Sequence, residues 1–114
     1  MDKVVDKIAA LGVPGLILLV AMAVTGWTGA AAITAALAML GGPFGMLGGI
    51  AVLGIMGLIS QGIAQYGFPE IFKAVVDQLY KNGMSKESIK REVNSYPISR
   101  DLKDQISNHL EELD

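Results

Sequence analysis

The chain contains no cysteine, so disulfides, thiolate metal ligands and a cysteine nucleophile are all excluded. One histidine among 114 residues gives no ligand set of the kind from which zinc sites are built, and no metal or cofactor is expected. Lys and Arg number 9 against 11 Asp and Glu, a formal charge of −2, which lacks the basic excess of a nucleic-acid-binding protein. The most informative absence is positional. Every Asp, Glu, Lys, Arg and His lies within residues 1–7 or 70–114, and none occurs from Ile8 to Pro69.

A soluble helix keeps a polar face toward water, and a half-buried strand alternates apolar with polar residues. This run does neither. Its more polar side chains are Thr25, Thr28, Thr34, Ser60, Gln61 and Gln65, with the amphipathic Trp27 and Tyr66. A spanning helix needs about 20 apolar residues to cross about 30 Å of hydrocarbon, so there is room for two spans and a turn. Gly41-Gly42-Pro43 marks the turn, because proline has no amide hydrogen and glycine loosens the backbone. One span is expected from Pro14 to Leu40, which at about 1.5 Å per residue must tilt or protrude. The second is expected from Phe44 to Tyr66.

Thr25-Gly26-Trp27-Thr28-Gly29 interrupts the first span. The reading adopted is one helix, kinked there; the alternative is a break that leaves Pro14–Val24 as a re-entrant or interfacial piece. Trp27 would then sit at a membrane–water boundary. A signal peptide does not fit: Asp2-Lys3 and Asp6-Lys7 cancel, and the apolar run far exceeds the roughly 7–15 residues of an h-region.

The expected class is an all-α membrane protein, a two-helix transmembrane hairpin plus short cytoplasmic amphipathic helices. Residues 1–12 form an amphipathic segment, 13–67 the glycine-rich hairpin and 68–114 a charged helical tail. In the first segment Val4, Val5, Ile8 and Leu11 share one helical face. Lys3 and Lys7 precede the hairpin, seven basic residues follow it and its turn has none. Basic flanks stay cytoplasmic, so both termini are expected on that side of the membrane.

Small residues recur at helical spacing. Gly41, Gly45, Gly49 and Gly57 share a four-residue phase, and Gly26, Ala30, Thr34 and Ala38 form a counterpart. Such rows let backbones approach closely, which is how helices associate in lipid. Gly54 and Gly62 lie off the first row and offer a second face, as a closed ring or filament of copies requires. The rows serve either the hairpin alone or a homo-oligomer. Gly41–Gly49 lacks the Lys-Ser/Thr ending of a P-loop, so nucleotide binding is not inferred.

In the tail, Pro69 and Glu70 suit a helix start, with Ile71, Phe72, Val75, Val76, Leu79 and Tyr80 on one face. Asn82-Gly83 is a stop signal. Ser85 can cap a helix from Lys86 to Asn94, with Ile89 and Val93 inward. Tyr96-Pro97 breaks it, and Ser99 can cap a third helix carrying Leu102, Ile106, Leu110 and Leu113 at helical spacing. His109 reads as a solvated surface side chain. No nucleophile–base pair or intramembrane carboxylate dyad is present, so an enzyme is not expected.

Membrane carriers place ionisable groups within the bilayer, and none occurs here. A pore remains open to the sequence, with Thr25, Thr28, Thr34, Ser60, Gln61 and Gln65 as candidate lining residues. The competing reading is that the hydroxyls bond back to their own helices and the glutamines lie at the headgroups. In layout, with two apolar spans, a small outer turn, glycine-rich packing and a charged tail, the chain resembles the holin-type proteins of bacteria and phage. That likeness implies assembly in, and permeabilisation of, a bacterial plasma membrane, and it assigns no residue a role. The expected function is a self-assembling pore or lesion. A non-conducting anchor or scaffold whose tail docks a soluble partner is the alternative. A third reading is an assembly that hides the apolar run inside and inserts later.

Overall fold

In the computed structural model every element is a helix, and the described residues, 2–26, 31, 34 and 49–113, contain no strand. The described residues include the helices α1 (Asp2–Ala10), α2 (Val13–Val24), α3 (Gly49–Tyr66), α4 (Phe68–Lys81), α5 (Lys86–Asn94) and α6 (Arg100–Glu111). The turn at Gly41–Pro43 and the adjoining ends of the two expected spans lie outside the described residues.

α1 carries Asp2 in its first turn and Lys7 in its last, the arrangement its dipole favours. It turns Val5, Ile8 and Ala9 inward and leaves Asp2, Lys3, Asp6 and Lys7 exposed. The chain then bends by 119° into α2. Gly12 makes the corner at φ 71°, ψ −142°, a backbone region open to glycine, and Pro14 occupies the first turn of α2.

α2 ends at Val24, which corrects the expectation of one helix from Pro14 to Leu40. The Thr25 hydroxyl donates back to the Ala21 carbonyl at 2.8 Å, and Gly26 enters the left-handed region at φ 71°. A terminal residue in that conformation stops a helix. Twelve residues at about 1.5 Å each fall well short of a bilayer core. Among the described residues no single helix is long and apolar enough to cross a membrane; α1 and α2 satisfy that test only together, across their bend.

α3 sends Met56, Ile59 and Ile63 inward and leaves Gly54, Gly57, Gln61, Ala64 and Gln65 on its outer side. A second Gly-X-Pro corner, Gly67 at φ 88° followed by Phe68-Pro69, leads into α4. α4 buries the expected Ile71, Phe72, Val75, Val76 and Leu79, and Phe68 packs edge-on against Phe72 at 5.4 Å. Its end is a Schellman motif: the Gly83 amide bonds the Tyr80 carbonyl and the Met84 amide the Leu79 carbonyl, with Gly83 at φ 110°.

α5 and α6 are capped as expected, the Ser85 Oγ accepting from the Ser88 amide and the Ser99 Oγ from the Leu102 amide, each at 3.2 Å. Their inward residues are Ile89 and Val93, and Leu102, Ile106 and Leu110. Lys103 Nζ reaches the carbonyl of Asn94 at 2.9 Å, satisfying an end group of α5. The buried side chains of all six helices form one continuous cluster, so the tail shares its core with the uncharged run.

Candidate functional site

The chemistry-bearing feature of the sequence is its uncharged run, and α2 shows what the fold does with it. From Leu16 to Met22 every residue is 4% exposed or less, so no side of this helix faces solvent. A helix that is apolar all round needs an apolar surround on all sides. α1, α3 and α4 all pack against it, and its Ile17 also lines a cavity of about 190 Å³ with Glu92, Ser95, Tyr96 and Pro97. Val24, at the end of α2, is the large apolar side chain left exposed among the described residues.

Two glycines are closely approached, Gly15 by backbone and Gly62 by side chains. A Cβ on Gly15 would stand 2.1 Å from the carbonyl oxygen of Ile8, and one on Gly62 would stand 2.6 Å from Ile71 Cδ1 and 3.0 Å from Val4 Cγ1. Gly15 therefore seals the α1–α2 corner, and Gly62 is the floor on which α1 and α4 meet α3. Of the residues expected to mediate packing, Gly26 and Gly57 have no neighbour within 4 Å of where a Cβ would be. Gly49 begins α3, and Thr34 is helical and exposed. Ala30, Ala38, Gly41 and Gly45 lie outside the described residues. Gly15 carries no periodic signal; only its place after Gly12-Val13-Pro14 hints at a corner.

Of the candidate pore-lining groups, Thr25 follows α2, and Ser60, Gln61 and Gln65 lie on α3. Thr25 bonds back to its own helix, at Ala21 and more weakly at Met22. Ser60 is half-buried on α3, while Gln61 and Gln65 are exposed on it. Thr28 lies outside the described residues.

The tail's polar groups are structural. His109 Nε2 lies 2.5 Å from Asp77 Oδ1, joining α6 to α4 with both side chains about one-third exposed, which corrects the expectation of a freely solvated histidine. Spacing within α6 could not reveal a partner 32 residues away. Lys90 pairs with Glu111 at 3.3 Å, and Lys86 donates to the Leu113 carbonyl while lying over the Tyr80 ring. Tyr96 is 3% exposed, and its hydroxyl has no partner in hydrogen-bonding geometry. Burial above all, and then the neighbouring Glu92 carboxylate, push its phenol pKa far above the ordinary value.

A second cavity, about 330 Å³, is lined by Asn94, Arg100, Lys103 and Asp104, whose charges of opposite sign give no single-sign field. Among the described residues no three His, Cys, Asp or Glu side chains converge to hold a metal ion. Among the described residues the main feature of the arrangement is therefore an apolar helix, α2, enclosed by its neighbours. Comparison with protein-family models, curated proteins and solved structures finds no match for this chain.

Proposed function

We propose that this is a small membrane-active helical protein that self-assembles through small-residue helix faces and opens a pore or lesion. The described conformation is the one that precedes insertion. The observation that carries the reading is the complete burial of Leu16–Met22 within a run that holds no charge from Ile8 to Pro69. In water each large side chain of α2 gains about 1.5–3 kcal/mol from burial, so uncovering the helix costs on the order of 10 kcal/mol. In hydrocarbon that cost disappears, because lipid tails are as apolar as leucine. The same helix is thus sheathed in water and free to part from its neighbours in a bilayer.

Assembly is assigned to the outer side of α3, where Gly54 and Gly57 leave open space and Gln61 and Gln65 stand exposed without charge. Once the apolar helices are in lipid, the basic residues of α1 and of the tail keep both termini on the cytoplasmic side. The layout shared with holin-type proteins supports the same activity.

Release of an entrapped dye from lipid vesicles tests the proposal. The wild-type protein is expected to release dye at concentrations where crosslinking in the membrane traps oligomers. Among the described residues a Cβ at Gly54 or Gly57 meets nothing within 4 Å, so Gly54→Leu with Gly57→Leu should leave the fold intact and reduce both release and crosslinking at least tenfold. Oligomers that form without any release would favour the alternative, a non-conducting anchor or scaffold whose tail docks a soluble partner.

A further inference from the structure

We propose that α1 is a strap over the apolar helices, and that it must swing off α3 about Gly12 before lipid can replace the protein neighbours of α2. The inference rests on the membrane-active reading above and adds how that activity is held in check.

α1 packs on α2, α3 and α4 together. Its seat on α3 is Gly62, where Val4 approaches so closely that a Cβ would lie 3.0 Å from Cγ1 and 3.4 Å from Cγ2. Its joint is Gly12 at φ 71°, a residue for which positive and negative φ are similarly accessible, so α1 can turn there without a side-chain clash. The closed corner further requires Gly15, whose backbone lies against the Ile8 carbonyl. Gly15 is thus demanded by the closed corner alone, whereas Gly62 seats both Val4 of α1 and Ile71 of α4.

The grip is also unequal. α1 buries Val5, Ile8 and Ala9, whereas α4, joined to α3 by the corresponding glycine corner, buries five residues. The smaller grip releases first. Asp2, Lys3, Asp6 and Lys7 occupy the exposed side of α1, so lifting it carries no charge through apolar ground.

The absence of cysteine makes the strap directly testable. Val4→Cys with Gly62→Cys places the two positions at disulfide range, and Ile71 Cδ1, the far end of a flexible side chain, can turn aside. Vesicle dye release is measured for the oxidised full-length chain, with the crosslink verified by intact mass, and again after dithiothreitol. The oxidised form is expected to release dye at least tenfold more slowly than the reduced form. Gly15→Ala, which the closed corner cannot accommodate, should release dye faster than wild type. Equal rates for oxidised and reduced protein, or release by Gly15→Ala no faster than wild type, would overturn the strap while leaving the lesion reading in place. A wild-type chain that never releases dye would remove both.

Discussion

Tyr96 presents a physical problem at the scale of a single residue, because burying a hydroxyl without a hydrogen bond costs about 1–3 kcal/mol. Its side chain is buried in the core and lines a cavity with Ile17, while its oxygen finds no partner in bonding geometry. Tyr96→Phe keeps the ring and removes the oxygen, so stability at pH 7 should be unchanged or higher by about 1 kcal/mol in chemical denaturation. The raised phenol pKa gives a second signature. Below about pH 10 the phenol is neutral in folded and unfolded chains alike. Above it the unfolded chain loses the proton while the folded one retains it, so stability falls by about 1.4 kcal/mol per pH unit from this group. That component of the alkaline loss should vanish in Tyr96→Phe. A variant markedly less stable at pH 7 would show that Glu92 or water satisfies the hydroxyl, and one with the wild-type alkaline slope would show that Tyr96 is not the group that titrates there.

Individual helices obey local rules, and here the tail was readable from its residues. Ser85, Gly83 and Ser99 act through bonds to backbone groups within five residues, so their effect is written in adjacent sequence. Ser99→Ala should remove the acceptor of the Leu102 amide and cost about 1 kcal/mol, with Ser99→Asp restoring most of it. The expected reading is a lower denaturant midpoint at unchanged m-value. The first apolar helix was read too long for an equally local reason. Composition alone makes Pro14–Leu40 one hydrophobic stretch, whereas the Thr25 hydroxyl and the left-handed Gly26 end α2 after Val24. Both signals stand in the sequence, and each acts on the backbone within a turn, where the length of an apolar run has no influence.

For the whole molecule, the consequence is coupling between parts of very different composition. The charged tail and the uncharged helices contribute to one buried cluster, in which Phe72 of α4 is fully covered. Phe72→Ala should cost about 3–5 kcal/mol. Because the core is shared, hydrogen exchange at α2 amides should accelerate in step with that at α5 and α6. Retention of α2 protection while the tail exchanges freely would mean two independent units. The His109–Asp77 contact contributes to the same coupling by fastening α6 to α4 across the sequence.

The residues alone were enough to show that the chain is helical, where the tail helices begin and end, which of their faces are apolar, and that the middle carries no charge. They did not determine what replaces water there. An apolar side chain has no preferred direction and gains as much from a neighbouring helix as from lipid, so pattern alone could not distinguish a sheathed α2 from a spanning one. Only the tertiary structure decided that Leu16–Met22 lie against the chain's own helices. It also decided that, within the described chain, Gly15 lies against a neighbouring backbone and Gly62 against the side chains of Val4 and Ile71. A missing side chain permits contact, but the path of the rest of the chain selects the partner.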